Sequence, residues 1–92
     1  MRIPKNRAPS HPGEILREEF LEPLEISQRE FAERLGISSQ RLNEIINGKR
    51  SMTADTAVLI SEELGTDPSW WMGFQVSLDV WESRNRLGLQ AH

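Results

Sequence analysis

The chain has 92 residues, of which 37% are hydrophobic and 27% charged, with a net charge of −3 at neutral pH and no cysteine. That length bounds it to one domain with a modest core, so a partner chain can supply much of the burial. The missing cysteine excludes disulfides and thiolate metal sites and fits a cytoplasmic protein, and no segment is apolar for long enough to span a bilayer or to follow the basic N-terminus as a signal peptide would.

Residues 1–10 hold Pro4, Pro9 and Ser10 with the cations Arg2, Lys5 and Arg7 and little apolar content, and they read as a flexible basic arm. His11-Pro12-Gly13-Glu14 then starts a helix, with Pro12 suited to the first helical position. Ile15, Leu16 and Phe20 form its apolar face, and Pro23 stops it by disfavouring helical geometry at Glu22. This segment is acidic, with Glu14, Glu18, Glu19, Glu22 and Glu25 against Arg17.

The spacing predicts a second helix from Ser27, where Ser27 and Glu30 form a capping-box pattern. Phe31, Ala32 and Leu35 face inward, and Gly36 sits where a left-handed C-terminal residue is wanted. Ser38 caps a third helix that runs to about Asn47 and ends at Gly48. Gln28, Ala32 and Gly36 recur at four-residue intervals, and Ile37, Leu42 and Ile45 fall where the third helix must pack back on the second. This is the spacing of a helix-turn-helix.

A purely structural hairpin could share Ala32 and Gly36, so the exposed face decides. At about 100° per residue, Ser38, Leu42 and Ile45 cluster on one side, with Ile46 at its edge. Ser39, Gln40, Asn43, Glu44 and Asn47 fall opposite, flanked by Arg41. An idle surface would favour better helix formers than Ser39, Asn43 and Asn47. Amides suit adenine, arginine suits guanine, and a carboxylate can accept from cytosine. Ser39, Gln40, Arg41, Asn43 and Glu44 are therefore the expected base readers. Gln28, at the front of the second helix, and Asn47, Lys49, Arg50 and Ser51, past the third, are expected on phosphates. The overall acidity is no obstacle: residues 26–50 are net +2, and salt screens charges beyond about 8–10 Å.

A fourth helix begins near Thr53, with Ala57, Ile60 and Leu64 on one face and Gly65 at its end. Asp67-Pro68 starts a fifth that runs to about Arg86. On it, Trp71, Phe74, Leu78 and Trp81 line one stripe with Trp70 beside them, while Met72, Val76 and Val80 line another. Two apolar stripes call for burial on two sides. Either this helix is central in a small core, or one stripe meets a second copy. The latter is expected, with Trp70, Trp71, Phe74, Val76, Val80 and Trp81 as interface candidates and some tryptophans held in the core. No alternating strand pattern appears, so the fold class is all-α with five helices, with the domain over residues 11–87 and a tail over 88–92.

Ser27 to Arg50 resembles the lambda-repressor-like (XRE, or Cro-like) DNA-binding domains. "HPGEILREEFLEPLEIS" and "INGKRSMTADTAVLISEELGTDPSWWMGFQVSLDVWE" are similar to the flanks of HigA-type antitoxins, also called VapI. The resemblance covers about residues 10–83. It implies a five-helix repressor-like fold and a dimeric antitoxin that binds an operator upstream of its own operon and pairs with a HigB-type toxin, an mRNA-cleaving ribonuclease. Gln28 and the exposed face of the third helix map onto the family's DNA-binding positions, and Arg41 stands where the family commonly carries a small residue. A solitary regulator with no toxin is the alternative reading. An enzyme is disfavoured: His11 and His92 are far apart and no phosphate-binding glycine loop is present, so neither a catalytic or metal site nor a cofactor is expected.

Overall fold

The computed structural model describes residues 8–89. Arg2, Lys5 and Arg7 of the expected arm, and Gln90 to His92 of the expected tail, lie outside that range. The elements are α1 (Pro12–Leu16), continued by a π-helical turn (Arg17–Leu21), then α2 (Gln28–Leu35), α3 (Ser39–Ile46), α4 (Ala54–Leu64) and α5 (Pro68–Arg86). Among the described residues there is no strand.

The start signals work locally. Ser27 Oγ accepts from the Glu30 N–H, Ser38 Oγ from the Arg41 N–H, and Thr53 Oγ1 from the Thr56 N–H. Asp67 Oδ1 accepts from the Ser69 N–H ahead of the long α5. The capping box at α2 is only half made, because the Glu30 carboxylate is taken by Arg34 one turn on, at 2.6 Å. The first helix also departs from expectation. In a regular α-helix Leu16 and Leu21 would point about 140° apart. In the π turn residues five apart stack instead, with the Glu22 N–H reaching the Arg17 carbonyl. Leu16 and Leu21 are both buried as a result.

The core gathers Leu16, Phe31, Leu42, Ile45, Ile60 and Trp71, each fully buried. α3 has only 8 residues, too few to hold a helix in water by itself. It buries Leu42, Ile45 and Ile46. At about 1.5–3 kcal/mol for each such side chain, packing rather than propensity keeps it helical.

Two glycines position α3. Gly36 closes α2 at a φ of 74°, with its N–H on the Glu33 carbonyl and the Ile37 N–H on the Ala32 carbonyl. A Cβ there would meet nothing within 4 Å, so the requirement is purely conformational. Gly13 is the reverse case. A Cβ on it would be driven into the Ile45 carbonyl and stand 2.8 Å from Ile46 Cα. α1 thus lies backbone against backbone on the last turn of α3. His11 sets that approach, its Nδ1 accepting from the Gly13 N–H at 2.9 Å while its ring lies near Asn47 and Gly48.

α5 closes the structure from the other side. The expected stripe of Trp71, Phe74, Leu78 and Trp81 is rotated slightly: Trp71, Gln75 and Leu78 are buried, and Phe74 and Trp81 are half-buried at the edges. Trp71 has no exposed surface, and its Nε1–H donates to Thr66 Oγ1 at 2.7 Å. Its assignment to a dimer interface is therefore corrected to the domain core. Trp70 and Phe74 pack edge to face at 4.9 Å, and Trp70 also meets Phe20 at 6.1 Å. Val76 and Val80 remain exposed on the opposite side.

Two predictions follow from the contact between α1 and α3. Gly13→Ala should destabilise the fold by about 3 kcal/mol, the upper end of ordinary overpacking, because backbone cannot yield as a side-chain tip can. Gly36→Ala should cost only the left-handed backbone penalty of about 1–2 kcal/mol. Chemical denaturation of the two variants checks this, and equal losses would contradict the packing asymmetry. Burial lowers the pKa of His11 from the usual 6.5, opposed by a hydrogen bond with the Arg50 backbone. The unfolded chain then takes up the proton first, so stability is complete above about pH 6.5 and falls as pH drops through the folded value. His11→Asn keeps a capping oxygen without titrating there, so thermal melts of this variant should show less loss over that window.

Candidate nucleic-acid interface

α3 sorts its side chains as the helical wheel requires. Leu42, Ile45 and Ile46 are buried against the core, while Ser39, Gln40 and Asn43 are exposed. The first turn of α2 sits beside this exposed face, because Asn43 Nδ2 donates to Gln28 Oε1 at 3.0 Å across the two helices. Asn47 Nδ2 in turn donates to Asn43 Oδ1 at 3.1 Å. Gln28, Asn43 and Asn47, drawn from two separate groups of expected residues, thus form one hydrogen-bonded row.

The loop after α3 folds back on the helix end, with the Lys49 and Arg50 N–H groups both donating to the Glu44 carbonyl. The side chains repeat that closure. Glu44 Oε1 accepts from Arg50 Nε at 3.0 Å and lies 2.8 Å from Arg50 Nη2. Glu44, expected as a base reader, and Arg50, expected on a phosphate, pair with each other in this structure. An ion pair this exposed is worth about 0.2–1 kcal/mol, so an incoming phosphate can compete for the arginine. Lys49 is exposed, and among the described residues no carboxylate lies within 4.0 Å of it. Ser51 is exposed beside it.

Arg41 lies at the edge of the exposed α3 face. It is half-buried, turned back toward α4, and its Nη2 donates to Thr56 Oγ1 at 3.3 Å. Thr53 Oγ1 donates to the same oxygen at 3.2 Å, so the arginine ties the α3 start to the α4 cap. Arg41 was expected among the base readers, and in this structure its guanidinium is engaged by Thr56.

Gln75 was missed in the sequence. It is 3% exposed and its Oε1 accepts from the Met52 N–H at 2.8 Å, while its Nε2 donates to Asp79 Oδ1 at 2.9 Å. This bond anchors the end of the loop that carries Lys49, Arg50 and Ser51. A signal was present: Gln75 lies four residues after Trp71 and three before Leu78, a polar residue on the buried stripe. Among the described residues there is no cluster of histidine and acidic side chains fit to hold a metal ion, and no helix is long and apolar enough to cross a membrane.

Comparison with known proteins agrees with this geometry. A family described as "Helix-turn-helix" matches residues 17–71. Virulence-associated protein I of Dichelobacter nodosus is 43% identical over 83 residues, covering 87% of this chain and 77% of that protein. Antitoxin HigA-1 of Vibrio cholerae is 38% identical over 85 residues, covering 92% and 80%. Among solved structures, the Pseudomonas aeruginosa antitoxin HigA with its higBA promoter superposes with a TM-score of 0.83 at 34% identity, over 87% of each chain. A HigA-family antidote protein from Coxiella burnetii gives 0.82 at 38% identity, over 89% of each. With the helix-turn-helix, its flanks and its five-helix fold all matched, the chain belongs to the XRE-like helix-turn-helix family, among the HigA antitoxins.

Proposed function

We propose that the chain is the antitoxin and autorepressor of a HigBA-type toxin–antitoxin pair. It acts in the cytoplasm as a homodimer, binds operator DNA at its own operon, and neutralises a HigB-type ribonuclease toxin. It is not itself an enzyme. The observation that carries this reading is the exposed polar face of α3 beside the amide-bearing start of α2. Such a face in the fold of an antitoxin solved with its promoter suits a base-reading helix in the major groove.

On this reading Ser39, Gln40 and Asn43 face base edges, with Glu44 available once Arg50 turns to a phosphate. Gln28, Asn47, Lys49, Arg50 and Ser51 take the backbone. Val76 and Val80 are the centre of the dimer face, with Trp70, Phe74 and Trp81 at its margins. The direct test is fluorescence anisotropy on the duplex upstream of the chain's own gene against a scrambled duplex. A preference of at least about a thousandfold is expected of a specific repressor. Co-purification with the product of the adjacent gene separates the antitoxin from a solitary regulator, which would have no such partner.

Gln40→Ala should cost about 1–3 kcal/mol on the upstream duplex and far less on the scrambled one. Lys49→Ala should weaken both and lower the salt slope by about one unit. The same titrations, run at several salt concentrations, check both; a swap of the two behaviours would reverse the assignments. Val80→Asp should give a folded monomer with most operator affinity lost, since a charge cannot be hydrated at a dry two-fold contact. Sedimentation read beside helical circular dichroism decides this, and a dimer that survives the change would move the interface off α5.

A further inference from the structure

Arg41 is poorly satisfied where it rests. Its Nη2 reaches Thr56 Oγ1 at 3.3 Å, past the usual N–H···O range of about 2.7–3.2 Å. Its Nε is buried with no hydrogen-bond partner among the described residues. A buried donor left unpaired costs free energy that it would recover on an acceptor or in water. Thr56 does not depend on the arginine. Thr53 Oγ1 donates to Thr56 Oγ1 at 3.2 Å, and the Thr56 N–H donates to Thr53 Oγ1. Withdrawing the guanidinium therefore leaves the α4 cap bonded.

The side chain also departs from the right place. Arg41 is the third residue of α3, in the N-terminal turn that a recognition helix presents to base edges. On the wheel it lies about 60° from Glu44, beside the exposed polar face. Glu44, three residues on, is the neighbouring carboxylate that could capture a released arginine. It is already occupied by Arg50, at 2.8 Å. A guanidinium takes a pair of acceptors side by side, and in the major groove only guanine offers one, its O6 and N7.

We propose that Arg41 is a two-position specificity residue: it parks on Thr56 when no guanine is in reach and is released to the O6 and N7 of one guanine in the operator. This rests on the reading of α3 as the DNA-reading helix. The hold by Thr56 subtracts from the guanine contact, so the threonine sets how strongly that base is preferred. Where another base stands at that position, the arginine stays parked and adds nothing. Thr56 is fully buried and cannot itself touch DNA. Any effect of Thr56 on base preference therefore passes through Arg41.

The test measures binding of the full chain to the upstream duplex, with each guanine in turn replaced by 7-deazaguanine, which pairs normally but lacks the N7 acceptor. Wild type should lose about tenfold in affinity at one guanine, the scale of discrimination that a bidentate contact supplies. Arg41→Ala should bind the unmodified duplex about tenfold more weakly and be indifferent to the replacement at that guanine. Thr56→Val keeps the shape of the side chain without the acceptor oxygen. It should bind the unmodified duplex more tightly than wild type and lose more at the same guanine, and both effects should vanish when Arg41→Ala is added. Circular dichroism checks that each variant is folded, and the wild-type series needs no variant at all. The guanine contact is overturned if no replacement separates wild type from Arg41→Ala, or if Arg41→Ala weakens the upstream and a scrambled duplex alike, as loss of a phosphate contact or a structural brace would. The hold is overturned if a folded Thr56→Val leaves the guanine preference unchanged. If wild type does not prefer the upstream duplex over the scrambled one, the reading of α3 fails instead, and that comparison does not involve Arg41.

Discussion

Gly13 lies so close to the Ile45–Ile46 backbone that a Cβ on it has no room, and the placement of α3 depends on that approach. A helix of 8 residues has little intrinsic stability. One face of it is exposed, which leaves only the other to hold it in place. α1 supports its last turn at backbone distance, α2 covers its front through Phe31 and Leu35, and Arg41 ties its start to the cap of α4. Side chains between α1 and α3 would move α3 outward by the thickness of a methyl group or more. The loop from Asn47 to Ser51 would move with it. Gly13 and the π turn serve the same end: one brings α1 close, and the other keeps Leu16 and Leu21 on one face once it is there.

The polar groups follow the same division between fixed and free. Gln75 is buried and held at both ends of its amide, accepting from the Met52 N–H and donating to the Asp79 carboxylate. An unpaired backbone donor there would cost about 1–3 kcal/mol. That makes the end of the loop over residues 47–51 a fixed point and leaves its middle on the surface. Among the described residues the amides of Gln28, Asn43 and Asn47 are bonded only to one another, which orders them without using up their donors and acceptors. His11 belongs to the fixed class, as its neutral ring accepts the Gly13 N–H beneath the same helix end.

Much of this was legible in the sequence because it is written in local chemistry. Ser27, Ser38, Thr53 and Asp67 start their helices as their side chains require, and Gly36 ends α2 because only glycine takes that φ without strain. The wheel of α3 sorted Gln40 and Asn43 outward and Leu42 and Ile45 inward correctly. What escaped depends on partners distant in sequence. Arg41 lies on the edge of the wheel, and whether it faces DNA or Thr56 depends on where α4 sits. Glu44 and Arg50 look like separate ligands until the loop turns back and pairs them. Trp71 and Gln75 share the inward side of α5, but a polar residue there declares itself only through the Met52 N–H it satisfies. The π turn has no compositional mark at all, since Arg17 to Leu21 are ordinary helix formers.

The charge pattern explains why one copy of this chain would make a weak binder. Phosphate neutralisation supplies most sequence-independent affinity. Here the face is built from neutral amides and hydroxyls, and the Arg50 charge is held by Glu44. Arg34 is likewise paired with Glu30, so Lys49 stands out as a cation with no carboxylate partner among the described residues near the face. The whole chain carries a net charge of −3. Such a surface gains little from random DNA and must gain from hydrogen-bond complementarity at matched bases. Each matched base contributes only about 1–3 kcal/mol, and one short helix reaches few of them. Doubling the number of reading helices on one rigid body is the physical way to turn a small gain per site into a tight one, without the non-specific attraction that added lysines would bring. Val76 and Val80, apolar and exposed on the longest helix among the described residues, are the proposed contact for such a doubling.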